Sequence, residues 1–467
     1  MATTYDAIII GTGQAGPSLA VRLAGAGMKV AIIERKQFGG TCVNNGCIPT
    51  KTLVASARAA HIARRAADYG VAIPGSITVD MKRVKERKDA VVRRSNEGVE
   101  KWLKSTENLT VYEGHGRFEG AHRVRIGAEL LEADRLFINV GARANVPPFP
   151  GLDQVPCLTN SSMMEVDYLP EHLIIVGGSY VGLEFGQMYR RFGSEVTIVE
   201  MGPRLIQRED EDVSAAIREI LENEGINVRL NAECIALEKH GDKVAIGVDC
   251  STGDKRVLGS HLLLAVGRVP NTADLGLEQA GVAVDQRGYI PVDDQLQTNV
   301  PGIYALGDCN GRGAFTHTSY NDYEIVAANL LDHDRRRVSD RITAYALYTD
   351  PPLGRAGMTE AEVRKSGRKA LLAKRAMTRV GRAVEKGETQ GFMKILVDAE
   401  TKEILGASLL GVECDEVIHS ILDVMYAKAP YTVIQRAMHI HPTVSELIPT
   451  MLGDLKPLEA KNGEPAL

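Results

Sequence analysis

The sequence predicts an α/β fold that contains two β-α-β units and ends in a segment of mixed strands and helices. The first unit is indicated by the apolar run Ala7–Ile10, which is followed at once by a glycine-rich turn, a helix and a second apolar run. The second is indicated by the same order of elements between residues 172 and 200. Residues 378–410 predict a β-hairpin with turn residues at Asp398 and Lys402. At 467 residues the chain has the length of roughly three domains.

The first β-α-β unit carries the residues of a Rossmann-like dinucleotide site. Gly11 permits the tight turn after the strand, Gly13 lets a pyrophosphate approach the backbone, and Gly16 lets helix and strand pack closely. The N-terminus of the following helix attracts the phosphates. Glu34 ends the second strand, where a carboxylate can accept hydrogen bonds from a ribose hydroxyl.

The second unit has an altered glycine fingerprint. Gly177 and Gly182 hold the first and third positions, whereas the small residue Ser179 holds the second. Glu200 ends its second strand, and a carboxylate there accepts from a free ribose 2′-OH and repels a 2′-phosphate. NADH is therefore favoured over NADPH, although Arg204 lies nearby in the sequence. The alternative is an α/β core unit without a ligand, but two such units together indicate two dinucleotides, an arrangement that suits electron transfer from a nicotinamide to a bound flavin.

Two of the seven cysteines lie close together in GGTCVNNGCIPTK, residues 39–51. Cys42 and Cys47 could form a structural disulfide, a metal site, a chance pair or a redox centre. A zinc-type site needs two more soft ligands at nearby spacing, and the sequence offers none there. A glycine turn that enters a helix favours a thiolate at the helix start.

Composition and charge narrow the class of protein. The formal net charge of −5 argues against a nucleic-acid partner, and no run approaches the ~18 apolar residues of a transmembrane helix. The N-terminus has no signal-peptide pattern. The other cysteines are scattered, which predicts inert single thiols in a protein of the reducing cytoplasm; they are Cys157, Cys234, Cys250, Cys309 and Cys414.

Taken in order, the motifs resemble those of the flavoprotein pyridine nucleotide–disulfide oxidoreductases, and the likeness covers nearly the whole chain. GTGQAG with Glu34 resembles the FAD adenosine site, and GGTCVNNGCIPTK resembles the redox-active disulfide. FINVGARA and LLLAVGRVPN resemble the two strands that cross between cofactor domains, GIYALGDC with Asp308 resembles the second flavin motif, and HIHPTVSE resembles the acid–base pair.

The resemblance implies two Rossmann-like FAD/NAD-binding domains plus a C-terminal α+β interface domain that forms a homodimer with a shared active site. The FAD-binding domain would comprise residues 1–148 and 270–340, the NAD(P)-binding domain 149–269, and the interface domain 341–467. The basic run HDRRRVSDR at the last boundary is interpreted as a solvated linker.

The resemblance also implies roles for individual residues. Cys47 would lie against the flavin and Cys42 would attack the substrate. Lys51 would lie near the flavin N5 edge, paired with Glu184, and Tyr180 would cover the nicotinamide pocket until NADH enters. Further cofactor contacts are implied for Thr41, Gly141 and Asp308 with tightly bound FAD, and for Gly267 with NAD. No metal site is expected.

The acid–base pair has a competing explanation. Thr443 to Glu446 fits a capping box, in which Thr443 caps a helix and Glu446 reaches back to the backbone. Local sequence favours that cap. The resemblance favours instead a Glu446 that orients His441, with His441 contributed by the partner subunit to move the proton of Cys42.

The resemblance leaves the electron acceptor open between a small-molecule disulfide and a metal ion. FTHTSYNDYEIV, TDPPLGRAGMTE and GASLLGVECDEVI favour the mercuric-reductase-like and reactive-chlorine-resistance branch of the family. Dihydrolipoamide dehydrogenase proper, which uses lipoamide and NAD, is the alternative supported by Glu200 and HPTVSE. Thr50 and Glu200 disfavour glutathione reductase. An alternative of a different class is a non-enzymatic flavoprotein that senses NADH.

Overall fold

The computed structural model describes residues 2–249 and 255–459. The strands of this part of the chain form two parallel-type sheets, a six-stranded C-terminal sheet and two small antiparallel sheets. The predicted fold class, two Rossmann-like units followed by a C-terminal α+β unit, is confirmed. No helix among the described residues is long and apolar enough to span a bilayer.

The first sheet has parallel central strands that are buried on both faces. Ile8, Ile9 and Ile32 are fully buried, as expected for strands covered by helices on each side. The order across the sheet is Leu109–Glu113, Val30–Glu34, Thr3–Ile10, Glu129–Ile138, Arg123–Ile126 and Gly116–Gly120, and Ile303–Ala305 pairs in parallel with Glu129–Ile138. The helices that accompany it are Ala15–Gly25, Gly40–Asn44, Cys47–Arg64, Met81–Lys104 and Thr316–Leu331.

The second sheet repeats this plan in the middle of the chain. Its parallel strands are, in spatial order, Asn227–Arg229, Glu195–Val199, His172–Val176, His261–Leu264 and Cys157–Leu158. Helices Asn160–Met163, Tyr180–Phe192 and Glu211–Asn223 belong to it, and a three-stranded antiparallel sheet, Glu233–His240, Lys243–Asp249 and Arg256–Gly259, packs beside it.

A short antiparallel pair joins the two sheets. Ala142–Ala144 pairs with Arg268–Pro270, and Val269 lies opposite Arg143. These strands belong to the two sequence motifs that predict crossover strands. The chain therefore leaves the first sheet and returns to it at one place.

The C-terminal sheet is antiparallel and carries helices. Its strands, in spatial order, are Ala344–Leu347, Leu353–Gly357, Ile404–Leu410, Phe392–Asp398, Ala370–Ala376 and Lys456–Pro457, and its helices are Glu360–Lys365, Gly381–Glu385, Cys414–Tyr426, Thr432–Gln435 and Leu447–Leu452. Short 3₁₀ turns occur along the chain at Ala66–Tyr69, Leu152–Gln154, Leu277–Ala280, Gly307–Asn310, Val338–Asp340 and Met377–Arg379.

The hairpin prediction for residues 378–410 is right only in its second part. The strands are 392–398 and 404–410, and Lys402 adopts a left-handed φ of 67° in the turn between them. Residues 381–385 form a short helix instead of a strand. The reason is packing: Val380 and Ala383, three residues apart, are both fully buried.

Candidate functional site

Two glycines after the first strand allow backbone segments to approach more closely than a residue with a Cβ would permit. Gly11 adopts φ +105°, and a Cβ there would lie 2.4 Å from the Asn139 carbonyl oxygen. A Cβ on Gly16 would lie 2.3 Å from the Gly11 carbonyl oxygen, so the helix packs directly on the turn. Gly11 and Asn139 both follow parallel strands, which places this turn at the carboxyl edge of the sheet, where ligands of such folds bind.

Two carboxylates flank the glycine turn at the same edge. Glu34 accepts hydrogen bonds from the backbone N–H and hydroxyl of Thr12 and, at 2.8 Å, from the N–H of Lys36. Asp308 lies 3.4 Å from Arg268, and burial raises the pKa of its carboxyl against the opposing effect of this arginine. FAD requires N–H groups that donate to its pyrophosphate and carboxylates that accept from its sugar hydroxyls, so these residues fit the flavin.

Cys42 and Cys47 lie against the glycine turn. Cys42 is in helix 40–44, and Cys47 is the first residue of helix 47–64. A Cβ on Gly40 would lie 2.9 Å from the Cα of Gly13, so the cysteine-bearing segment is in backbone contact with the flavin motif. Both cysteines are free thiols in the structure, and Cys47 Sγ lies 3.1 Å from Thr316 Oγ1.

The environment makes Cys47 the thiolate of the pair. A hydrogen bond from Cys42 is the largest cause that lowers the pKa of Cys47 to about 6. The Thr316 hydroxyl and the Lys51 charge act in the same direction, against the partial loss of solvent around the sulfur and the charge of Glu184. The pKa of Cys42 is raised, because its proton is held in the hydrogen bond to Cys47 and because it is buried. The two thiols share one proton near neutral pH.

Lys51 and Glu184 form an ion pair between the first sheet's helix and the second unit. Lys51 Nζ lies 2.7 Å from Glu184 Oε2, and the Glu184 side chain is 6% exposed. The backbone N–H of Tyr348 donates to the other Glu184 oxygen at 3.1 Å. The Tyr348 ring faces the Lys51 ammonium at 4.6 Å, which adds a cation–π contact. The pair thus joins three parts of the fold beside the cysteines.

The second glycine turn copies the first. Gly177 adopts φ +116°, and its Cβ would lie 2.4 Å from the Ala265 carbonyl oxygen. A Cβ on Gly182 would lie 2.0 Å from the Gly177 oxygen. Ser179 precedes helix 180–192, and Glu200 accepts from the N–H groups of Gly178 and Gly202 at 2.7 Å each. This edge of the second sheet therefore offers the same donor set for a second dinucleotide.

Tyr180 lies in an aromatic cluster that the sequence did not indicate. Its ring meets Phe315 edge-on at 5.8 Å and Tyr345 edge-on at 5.5 Å. The guanidinium of Arg208 lies over the ring at 5.4 Å. Burial raises the pKa of Tyr180 to about 12, so the ring is neutral at physiological pH.

His441 and Glu446 are in contact, and their geometry bears on the two sequence explanations. His441 Nδ1 lies 2.9 Å from a Glu446 carboxylate oxygen. Thr443 Oγ1 does accept from the Glu446 N–H at 3.2 Å, but the Glu446 carboxylate bonds His441 instead of completing the capping box. The His441 side chain is 79% exposed, and among the described residues of this chain no hydrogen bond joins it to Cys42.

The remaining candidates vary in position. Gly141 and Gly267 both have left-handed φ, +65° and +99°, in the crossover between the sheets, and Thr41 lies in the helix of Cys42. Within residues 2–249 and 255–459, no group of three His, Cys, Asp or Glu side chains is arranged to hold a metal ion.

Three of the single cysteines lie among the described side chains. Cys309 and Cys414 are buried and Cys157 is half-buried. Cys250 and the side chain of Cys234 lie outside the described residues.

Sequence reasoning missed the residues that contact Asp308, Lys51, Cys47 and Tyr180 from distant parts of the chain. They are Arg268, Tyr348, Thr316, Phe315 and Tyr345. The segment FTHTSYNDYEIV resembles one branch of the family, and its unusual helix opening is the signal in the sequence that points to Phe315 and Thr316. No comparable signal marks Tyr345.

Comparisons with known proteins agree with this geometry. Residues 5–322 match the family model "Pyridine nucleotide-disulphide oxidoreductase", and residues 343–452 match the dimerisation domain of the same family. The chain is 38% identical over 450 residues to the probable pyridine nucleotide-disulfide oxidoreductase RclA of Escherichia coli K12, covering 95% of this chain and 97% of that protein. It is 33% identical over 446 residues to a dihydrolipoyl dehydrogenase of Thermus scotoductus, covering 95% of each chain.

A solved structure has nearly the same fold along its whole length. The Cu(II) complex of the HOCl-induced flavoprotein disulfide reductase RclA from Escherichia coli superposes with a TM-score of 0.88 at 36% identity, over 97% of this chain and 100% of that chain.

Proposed function

Because this chain belongs to the pyridine nucleotide–disulphide oxidoreductase family, it is a FAD-dependent oxidoreductase, and we propose that Cys42 and Cys47 form its redox-active disulfide. When bound, FAD carries electrons from NAD(P)H to that disulfide, and the resulting dithiol reduces a disulfide or a metal ion. The observation that carries the assignment is the Cys47 thiol beside Thr316 and Lys51, on a segment in backbone contact with the Gly13 turn.

The two cysteines divide the work according to their protonation. Cys47, with a pKa of about 6, is the thiolate that faces the flavin motif. Cys42 keeps the shared proton until a base removes it, and it then attacks the acceptor. With a disulfide acceptor, Cys42 attacks one acceptor sulfur, and the other acceptor sulfur leaves with the proton that the base took from Cys42. Cys47 then attacks Cys42, and the second acceptor sulfur leaves and takes a proton from solvent, so the Cys42–Cys47 bond replaces the acceptor S–S bond and two electrons pass to the acceptor.

His441 is the proposed base, and it acts across a homodimer. The match of residues 343–452 to the dimerisation domain supports a dimer. The loop that carries His441 exposes Met438 fully, at 99%, and Ile440 at 80%, an apolar surface that a second subunit would cover. Glu446 holds the His441 ring through Nδ1, which leaves Nε2 free to take a proton from the partner's thiol.

NADH is the proposed electron donor. Glu200 lies at the end of its strand with its carboxylate fixed by two backbone N–H groups, a position that accepts from a ribose 2′-OH. Arg204 does not offset it, because its guanidinium lies 3.4 Å from Glu211 and donates to the Gln207 carbonyl oxygen at 3.1 Å. Tyr180, at the start of the adjacent helix, is the proposed cover of the nicotinamide pocket.

The domain division proposed from the sequence remains 1–148 with 270–340 for FAD, 149–269 for NAD and 341–467 for the interface. It is supported by the crossover pair, whose strands end at 144 and begin at 268. The proposed location is a reducing cytoplasm, on the ground that most cysteines are single in the sequence.

The acceptor is tested by turnover. Purified enzyme is assayed with NADH and with NADPH against lipoamide, glutathione disulfide, Hg(II) and Cu(II). We propose a metal ion or a disulfide of the RclA branch, and Cu(II) is the first candidate because a solved structure that superposes with a TM-score of 0.88 is a Cu(II) complex. Preferential reduction of lipoamide would assign the enzyme to the dihydrolipoyl dehydrogenases instead.

A matched variant separates an enzyme from an NADH-sensing flavoprotein. Cys42→Ser removes the attacking thiol and leaves Cys47, so acceptor turnover is lost while the flavin stays bound. Cys157→Ser, at a half-buried single cysteine, is the control and keeps turnover. Full acceptor turnover in the Cys42 variant would contradict the proposed role of this thiol.

A further inference from the structure

The ring of Tyr180 is enclosed by residues from three separate elements. Phe315 precedes helix 316–331, Tyr345 lies in strand 344–347, and both meet the Tyr180 ring edge-on at 5.8 and 5.5 Å. Phe315 and Tyr345 stack on each other at 5.3 Å with an angle of 17° between their planes. Arg208 covers the ring from a further side. Tyr180 is therefore held by a preformed aromatic wall, not by one neighbour.

Tyr345 is itself anchored to a buried carboxylate. Its hydroxyl donates to Glu209, a residue that is 2% exposed. Arg355 lies directly opposite Tyr345 in the neighbouring strand, is 1% exposed, and approaches the second Glu209 oxygen at 3.5 Å. Glu209 precedes helix 211–223 of the second unit, so this contact fixes the C-terminal sheet against the nucleotide-binding unit.

We propose that Phe315 and Tyr345, with Tyr345 fixed by Glu209, form a latch that holds Tyr180 closed and so sets the apparent affinity for NADH. This inference rests on the proposed function of Tyr180 as the cover of the nicotinamide pocket. The three latch residues are positioning residues, because they act through Tyr180 and not on the reacting atoms.

The closed position is poised to open. The Tyr180 hydroxyl is buried and forms no hydrogen bond of normal geometry, so part of the favourable ring packing is offset by an unsatisfied polar group. A nucleotide that needs the open position binds with an affinity reduced by the fraction of molecules that are open. Stronger packing of Tyr180 against Phe315 and Tyr345 therefore lowers the apparent affinity for NADH.

The latch also lies next to the thiolate. Phe315 is followed in the chain by Thr316, whose hydroxyl contacts Cys47. One turn of backbone thus contacts both the cover of the nicotinamide pocket and the thiol pair. Movement of Phe315 when Tyr180 opens would be transmitted to the residue that hydrogen-bonds Cys47.

The test measures NADH binding apart from acceptor turnover. Purified FAD-loaded enzyme is mixed anaerobically with increasing NADH in a stopped-flow spectrometer, and the dependence of the flavin-reduction rate on NADH concentration gives the apparent Kd. Loss of one aromatic pair is equivalent to about two- to tenfold in an equilibrium constant. Tyr345→Leu should lower the apparent Kd for NADH by that factor. Tyr345→Phe, which keeps the ring and loses the hydroxyl that bonds Glu209 and lies near the Tyr180 hydroxyl, should lower it less.

Two further variants make the result specific. Tyr320→Leu, which removes an exposed ring 5.1 Å from Tyr323 in the same helix as Thr316, should leave the Kd unchanged. In a Tyr180→Ala background, Tyr345→Leu should not change the Kd further, because the Tyr180 ring that Tyr345 contacts is absent. If Tyr345→Leu does not retain flavin, Tyr345→Phe alone decides.

An unchanged or raised Kd in the Tyr345 variants, or an equal effect in the Tyr180→Ala background, would overturn the latch and leave the proposed function standing. A wild-type flavin that NADH does not reduce would overturn both. A lowered Kd that disappears with Tyr180 supports the latch.

Discussion

Thr316→Val is the substitution that isolates one contact to the reactive thiol. The Thr316 hydroxyl lies 3.1 Å from Cys47 Sγ, and when Cys47 is a thiolate the hydroxyl must be the donor. Valine keeps the shape and the β-branch of threonine and removes only the donor. The thiolate then loses a hydrogen bond, whereas the neutral thiol loses almost nothing, so the pKa of Cys47 must rise.

The size of the rise follows from the strength of such a bond. A hydrogen bond to a charged group is worth about 1.5–3 kcal/mol, and the low end applies because the Cys47 side chain is exposed in this chain. Since one pKa unit is equivalent to about 1.4 kcal/mol, the pKa of Cys47 should rise from about 6 to about 7. At pH 6.5 the thiolate would change from the major form to the minor one.

The assay is the long-wavelength absorbance that a thiolate gives beside an oxidised flavin. The protein is reduced anaerobically by two electrons, and the band is titrated between pH 4.5 and 9 in wild type and variant. Thr52→Val is the matched control, since the Thr52 hydroxyl donates to the Ile48 carbonyl oxygen within its own helix and not to either thiol. Its titration should coincide with that of wild type.

A Thr316→Val titration that coincides with wild type would refute the argument that this hydroxyl stabilises the thiolate. A fall in the pKa would refute it more strongly. The absence of the band in wild type at every pH would show instead that Cys47 does not face the flavin.

Three other changes have expected outcomes. His441→Ala should lower turnover with a disulfide acceptor about 10²–10⁴-fold and leave flavin reduction by NADH unchanged. Mixed dimers of His441→Ala and Cys42→Ser subunits should regain part of the activity, because one of their two sites would hold both intact residues. A site formed within one chain would not regain activity in this way. Glu200→Ala should raise the KM for NADH more than that for NADPH, measured by initial rates, and an equal change for both would contradict the ribose contact. Arg191 is buried, and its guanidinium lies 2.7 Å from Glu224 and 2.6 Å from Asp350, two half-buried carboxylates. Arg191→Leu leaves both without their shared cation and should cost about 3–5 kcal/mol. Burial alone would raise the pKa of Asp350, but Arg191 and Arg58 hold it below its ordinary value. The stability from this pair is therefore present at neutral pH and lost as the pH falls through that lowered pKa. Thermal unfolding between pH 3 and 7 should show a smaller acid dependence in Arg191→Leu, and an unchanged dependence would contradict the assignment.

Local chemistry explains why both glycine turns could be predicted. A Cβ on Gly11 or Gly177 would lie 2.4 Å from a carbonyl oxygen, so only glycine fits, and the reason is visible in a dozen residues of sequence. The positions of Glu34 and Glu200 could be predicted as well, because each lies at the end of the second parallel strand of its β-α-β unit. The helix at 381–385 was mispredicted because its apolar spacing is too short to distinguish from a strand.

Contacts between distant parts of the chain could not be predicted in this way. Cys47 and Thr316 are 269 residues apart, and nothing near either residue indicates the other. Lys51 and Glu184 are 133 residues apart, and their pairing was expected only from the family resemblance. Tyr345 reached its place beside Tyr180 through the strand pairing with Arg355, a product of the tertiary fold.

The most direct test of the central claim is to count reactive thiols before and after one equivalent of NADH. FAD-loaded enzyme is oxidised, mixed anaerobically with NADH, quenched with iodoacetamide and analysed by peptide mass spectrometry. Cys42 and Cys47 should be unreactive before NADH and become alkylated together after it, whereas the buried Cys309 and Cys414 should not change. Alkylation of this pair that does not depend on NADH would contradict its role as the path of the electrons.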